Sequence, residues 1–182
     1  DNICVEIDNN ELPGLDGSGM GFLEALQKAG IQEQDKERKY YSVKEPVYVE
    51  EEGSSIIALP SDTFKVSYTV SYEHPLLKSQ FMELDINSDS FKAEIASART
   101  FCLEEEAANL KQQGLGQGAT YENTIVLGKN GVIKNKLRYE DEFIRHKILD
   151  LLGDLYVLGQ PLKAHIIALK SGHNLNLKLL RK

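Results

Sequence analysis

No apolar run in this 182-residue sequence approaches the ~18 residues that a membrane-crossing helix needs. The opening residues, DNICVEIDNN, show no basic leader followed by an apolar stretch, so neither a transmembrane segment nor a signal peptide is expected. Positive charge is in the minority: 21 Lys and Arg against 28 Asp and Glu give a net charge of -7. That balance argues against general attraction to nucleic acid but leaves room for a local basic pocket that takes a phosphorylated ligand. Cysteine is scarce. Cys4 and Cys102 stand in unlike contexts without metal-type spacing, so two free thiols in a reducing, cytoplasmic setting are expected. No internal repeat stands out.

The composition, 41% hydrophobic and 27% charged, is that of a globular protein, and the length fits one domain or one domain plus a piece of another. NICVEI alternates and is β-branched, which predicts a strand; a Gly- and Pro-rich turn follows, and Asp16 or Ser18 is placed to cap a helix over GFLEALQKAG that Gly30 ends. QEQDKERK is charged and aperiodic, a linker. Strands are predicted in YYSVKEPVYVEE, GSSIIALPS, TFKVSYTVSYEHP and QFMELDI, with Phe64, Val66, Tyr68 and Val70 on one face. DSFKAEIASAR reads as a helix capped by Asp89 or Ser90, LEEEAANLKQQG as a second ending at Gly114, and NTIVLGKNGVI as a hairpin turning at GKNG. KAHIIALKSGH is a last strand running into a turn. Strands and helices come in blocks, which predicts an α+β protein with helices on one face of a mostly antiparallel sheet. Residues 1–30 alone are too few to bury a core.

IRHKILDLLGDL is an oily helix with one polar column. Ile144, Ile148, Leu151, Leu152 and Leu155 form its apolar stripe, while His146, Asp150 and Asp154 recur one turn apart beside Lys147. The column fits a solvated face, an ion-pair lattice, or half of a metal site, since a His and a carboxylate at i and i+4 reach one ion. Asp154 suits either a third ligand or a partner that orients a histidine. His173, in LKSGHNLN, stands on a turn after an apolar strand, where scaffolds mount chemistry. Thr100 and Phe101 lie where ARTFC ends a helix. His74 and His165 read as structural.

Five blocks, ELPGLDGSG, ARTFC, GLGQGATYENTIVLG, LRYEDEFIRHKILDLLGDLY and LKSGHNLNLKLL, occur in the order found in the UDP-3-O-acyl-N-acetylglucosamine deacetylases, the zinc amidases of lipid A biosynthesis. The chain resembles that family over essentially its whole length. The resemblance implies two domains, each a two-layer sheet-and-helix sandwich. Residues 1–35 would be the last strand and helix of the first domain and residues 36–182 the second. A small βαβ-like insert at about 103–137 would line a passage for the substrate's acyl chain with Gly118, Ala119 and Val126. It further implies that His146 and Asp150 bind Zn2+, that His173 is the general acid with Asp154 orienting it, and that Thr100 helps hold the oxyanion. Lys147 and Lys170 would lie near the nucleotide sugar, Phe101 would contact substrate, and Tyr72 would stack near the uracil.

The family takes one more zinc ligand and its catalytic glutamate from a His/Glu motif upstream of the first strand here. No HxxEH-like run is present, and Glu6 and Glu11 are poor substitutes. The expectation is therefore a C-terminal portion that needs an N-terminal half to hydrolyse a UDP-linked, acylated N-acetylglucosamine. The alternative is a non-catalytic module of this fold that binds a nucleotide sugar or lipid.

Overall fold

The computed structural model describes residues 2–8, 12–74, 77–107 and 118–182. Residues 2–7 form no strand, contrary to the alternation of NICVEI; among the described residues no other segment pairs with them, and a strand without a ladder partner has no hydrogen bonds to hold it. Helix α1 (Met20–Ala29) follows and ends at Gly30, whose φ of 89° suits glycine. Gly19, not Asp16 or Ser18, stands at the N-cap and caps without a side chain; Ser18 Oγ accepts from the Met20 amide at 3.3 Å and Asp16 Oδ1 from the Ser18 amide at 3.1 Å, which orders the turn before the helix. Residues 31–40 contain no helix or strand. No helix among the described residues is long and apolar enough to cross a membrane.

The main sheet is built from β1 (Tyr41–Ser42), β2 (Val47–Glu51), β3 (Ser54–Pro60), β4 (Phe64–Val70), β5 (Gln80–Asp85) and β9 (Leu162–Leu169). Its order is β2-β3-β9-β4-β5, with β1 also against β9. The last strand thus lies at the centre. It runs antiparallel to β3 but parallel to β4 and β1; with β2–β3 and β4–β5 also antiparallel, three of the five pairings are antiparallel, as expected. Along β9, Leu162, Ala164, Ile166 and Ala168 are buried and the alternate residues less so, the period-2 signature of a sheet packed on one face. Val66, Tyr68 and Val70 of β4 face the same core.

Helices cover that face. Asn87, not Asp89 or Ser90, caps α2 (Ser88–Ser90): its Oδ1 accepts from the Asp89 and Ser90 amides, and Ser90 Oγ accepts from the Asn87 amide. The chain then widens into a π-helical turn, Phe91–Ile95, and stops short of the expected Arg99. α3 (Glu142–Tyr156) presses Ile144, Ile148, Leu151, Leu152 and Leu155 into the core, joined by Leu175 and Leu179 of α4 (His173–Leu179), a helix that follows directly on the expected turn. A second sheet of β6 (Phe101–Leu103), β7 (Ile125–Gly128) and β8 (Gly131–Ile133) buries Ile125 and Leu127 against Leu77 and Phe143. β6 and β7 are parallel, and β7 and β8 form the expected hairpin. Residues 104–107 are helical; the rest of the helix expected through Gly114 lies outside the described residues.

Glu142, with no exposure to solvent, joins these parts. Its carboxylate accepts from the Arg99 amide (3.0 Å), Nε (2.9 Å) and Nη2 (3.2 Å), and from the Arg138 amide (2.6 Å). Arg99 spends its remaining donors on Asn135 Oδ1 and the Lys136 carbonyl. The pair is desolvated but saturated with hydrogen bonds, the condition under which a buried ion pair is tolerated. Nearby, Gly17 has φ 82°, and a Cβ there would lie 1.8 Å from the Asn123 carbonyl oxygen, so only glycine fits. The loop around it is tied down by Arg138, which binds Asp16 Oδ2 at 2.7 Å and the Ser97 carbonyl at 2.9 Å.

Glu142→Leu strands a buried guanidinium and is expected to cost about 3–5 kcal/mol in urea unfolding, more than the double variant Arg99→Met/Glu142→Leu; a double-variant loss equal to the sum of the two single losses would show the pair is not coupled. A milder, pH-dependent effect is expected at Asp16. Burial raises its carboxyl, but hydrogen bonds from Arg138 and Ser18 outweigh this and hold it below 3.8. A carboxyl depressed on folding stabilises fully above its unfolded value and ceases to do so as pH falls through its folded value. The stability gap between wild type and Asp16→Asn should therefore close on acidifying from roughly pH 5 to 2. Its size is about 1 kcal/mol at most, because both side chains of the ion pair are more than a third exposed. A gap that stays constant over that range would refute the assignment.

Candidate active site

α3 lies between the two apolar clusters, with Phe143 against the second sheet and Ile144 and Ile148 on the main core. Its polar column is therefore not a solvated face. His146 is 8% exposed and stands edge-on to Phe101, with ring centroids 6.4 Å apart. Its Nδ1 lies 3.0 Å from the Ala98 carbonyl oxygen, which only accepts, so Nδ1 carries a proton. In the neutral ring Nε2 then keeps its lone pair, and it faces Asp150 Oδ1 at 3.3 Å. Two acceptors so close repel unless a proton or a cation lies between them. Imidazole nitrogen and carboxylate oxygen are donors that zinc accepts, so the pair fits that ion.

Lys147 Nζ donates to the other oxygen, Asp150 Oδ2, at 2.8 Å. Burial alone would raise the Asp150 carboxyl. Hydrogen bonding and charge interaction with His146, with the charge and hydrogen bond of Lys147, outweigh that and hold it at about 2. Asp150 is thus a carboxylate at any working pH. Among the described residues no three His, Cys, Asp or Glu side chains are grouped to hold a metal.

Phe101 organises one wall. Its ring meets Phe143 at 4.8 Å and Tyr72 at 5.9 Å, both near perpendicular, which is the favourable edge-to-face geometry. Tyr72 lies close enough to Lys147, Glu106 and Asp150 to feel their charges, and burial first of all raises its hydroxyl pKa. The structure thus gathers Tyr72, Phe101, His146, Lys147 and Asp150 around the middle of α3. Thr100, next to Phe101, is fixed through its backbone: its amide donates to the Gly17 carbonyl at 2.9 Å, and its carbonyl accepts from the Ile125 amide at 2.8 Å. Of the residues expected to line an acyl passage, Val126 is buried on β7, whereas Gly118 and Ala119 are exposed in the loop before it.

Asp154, one turn beyond Asp150, pairs with His173. Nδ1 of His173 lies 2.9 Å and 3.0 Å from the two carboxylate oxygens, so the ring is gripped at one nitrogen and presents the other to solvent. His173 is not on a loose loop but opens α4, after Lys170 has turned the chain in a left-handed conformation with φ 51°. Lys170 itself is exposed and its amide donates to the Thr69 carbonyl. His165 lies on the outer face of the sheet, 2.7 Å from Ser67 Oγ, away from this cluster.

Sequence reasoning missed Arg99, Glu142, Ser171 and Asn176. Nothing local in the sequence shows that the partner of Glu142 stands 43 residues earlier. Asn176 had a usable signal: His173 and Asn176 are one helical turn apart, and Leu175 and Leu179 supply the apolar period.

The family model for UDP-3-O-acyl N-acetylglycosamine deacetylase matches residues 1–182. The UDP-3-O-acyl-N-acetylglucosamine deacetylase of Thermodesulfovibrio yellowstonii is 42% identical over 181 residues, covering 100% of this chain and 62% of that protein. Those of Citrifermentans bemidjiense (45%, covering 99% of this chain and 59% of that protein) and Aquifex aeolicus (44%, covering 100% and 63%) are similar. The chain thus spans about three-fifths of the length of the curated relatives it matches.

Zinc is expected to raise the thermal midpoint of the protein through the His146–Asp150 pair, by the equivalent of about 2.7 kcal/mol at a free concentration one hundred times its dissociation constant. An undiminished zinc response in His146→Ala would show that the ion binds elsewhere.

Proposed function

Because the chain belongs to the UDP-3-O-acyl N-acetylglycosamine deacetylase family, we propose that it contributes two zinc ligands, an oxyanion hydroxyl and a proton donor to hydrolysis of the N-acetyl group of a UDP-linked, 3-O-acylated N-acetylglucosamine, a step of lipid A biosynthesis in the cytoplasm. The observation that carries the proposal is the single helix α3, which bears both the His146–Asp150 pair and the carboxylate that grips His173.

His146 and Asp150 would hold the zinc, Nε2 being the His146 nitrogen left free because the Ala98 carbonyl occupies Nδ1. When bound, the ion polarises an acetamide carbonyl and lowers the pKa of water at the site towards ~7. The chain's residues do the rest. Thr100, fixed by its two backbone bonds beside Phe101, offers its hydroxyl where negative charge grows on the carbonyl oxygen. His173, with Nδ1 committed to Asp154, delivers a proton from Nε2 to the departing amine. Lys147 neutralises Asp150 and places positive charge beside Tyr72; with Lys170 it accounts for recognition of a diphosphate by a protein of net charge -7. The ring of Tyr72 stacks on the uracil. Phe101 contacts the substrate, and Val126, Gly118 and Ala119 line the path of its acyl chain.

The remaining ligand and the base that takes the proton of the attacking water are assigned to a first domain, of which residues 1–35 are the end; residues 36–182 form the second domain, with its insert at about 103–137. Acetate release from the UDP-linked substrate is the test. The 182-residue chain is expected to be inactive until a first-domain segment bearing a His and an adjacent Glu is supplied. In the restored enzyme Thr100→Val should lower kcat about 10²–10³-fold, and His173→Gln about 10²–10⁴-fold. Substrate binding without any restored turnover would instead favour a non-catalytic binding module.

A further inference from the structure

His173 is 64% exposed on its side chain, so packing does not orient it; the Asp154 carboxylate does. Asp154 stands in the last turn of α3, which carries no basic residue and whose carbonyl end disfavours a negative charge. Something must hold that carboxylate in place. Its Oδ2 accepts from Nδ2 of Asn176 at 2.8 Å, and Asn176 is 1% exposed. A carboxylate only accepts, so the amide is oriented without ambiguity: nitrogen towards Asp154, oxygen towards the hydroxyl of buried Ser171. The Ser171 carbonyl in turn accepts from the hydroxyl of Tyr68, a fully buried residue of β4. Every link in this chain has one possible direction. It runs from the centre of the sheet to an exposed imidazole.

We propose that Asn176 is a positioning residue for His173, its amide locked by Ser171 so that the Asp154 carboxylate is held in the orientation that takes the Nδ1 proton of the ring. His173 and Asn176 lie three residues apart on α4, so one helix face presents both donors to one acceptor. Apolar filling does not account for the residue, since a leucine would occupy the same space without needing two buried partners. The role in turnover rests on the reading of His173 as proton donor; the role in orienting the ring does not.

The test therefore begins with the ring. In the full chain labelled with ¹⁵N-histidine, neutral His173 is expected to carry its proton on Nδ1. Asn176→Leu should shift it towards the Nε2–H form by at least about twofold, while His146, held by Ala98, stays unchanged as an internal reference. Ser171→Ala, which keeps Asn176 but frees its amide to turn, should move His173 in the same direction and decides the matter if Asn176→Leu does not fold. In the enzyme restored with a first domain, both variants should lower kcat, Asn176→Leu by about 10–100-fold, with KM within about twofold. A His173 tautomer unaffected by either substitution overturns the proposal. A shifted tautomer with unchanged turnover upholds it and instead removes His173 as the proton donor.

Discussion

A carboxylate without solvent, Glu142, lies where the first turn of α3, the Ala98–Thr100 segment and the 135–138 loop meet. Four hydrogen bonds occupy it, and removing any of them leaves charge or a polar group unpaired in a low-dielectric interior. The consequence for function is geometric. His146 is one turn further along α3, and Ala98 and Thr100 flank the residue whose guanidinium binds Glu142. The same contact that closes the fold therefore sets the imidazole against the Ala98 carbonyl and Thr100 beside Phe101.

The position of α3 between two apolar clusters explains why an oily helix carries a polar column. One side of the helix faces the main sheet and the other the smaller second sheet, so the column runs along the seam between them. There it is shielded enough for charges to interact strongly, yet Asp150 and Lys147 keep some access to solvent. The π-helical turn at Phe91–Ile95 brings the chain into this seam, as such turns often do near functional sites.

The other half of the site depends on topology. β9 enters the middle of the sheet, and the chain turns sharply at Lys170 to begin α4 against the end of α3. His173 and Asn176 can reach Asp154 only because the last strand is central and delivers α4 onto the helical layer.

Much of this was legible in the sequence. The strands from β2 to β5, the hairpin of β7 and β8, helix α3 and its apolar stripe all follow from periodicity and turn residues within a few positions. The pairing of His146 with Asp150 follows from one helical turn. What was misread had partners far away in the chain: residues 2–7 alternate like a strand but meet no neighbour among the described residues, and His173, expected on a turn, instead opens a helix on the surface that α3 and the sheet provide. The sequence by itself determined which segments have the period of a strand or a helix and which side chains share a face. Only the tertiary structure decided that β9 lies between β3 and β4, that Arg99 meets Glu142, and that Asn176 steadies Asp154, because those contacts join residues whose spacing along the chain carries no local signal.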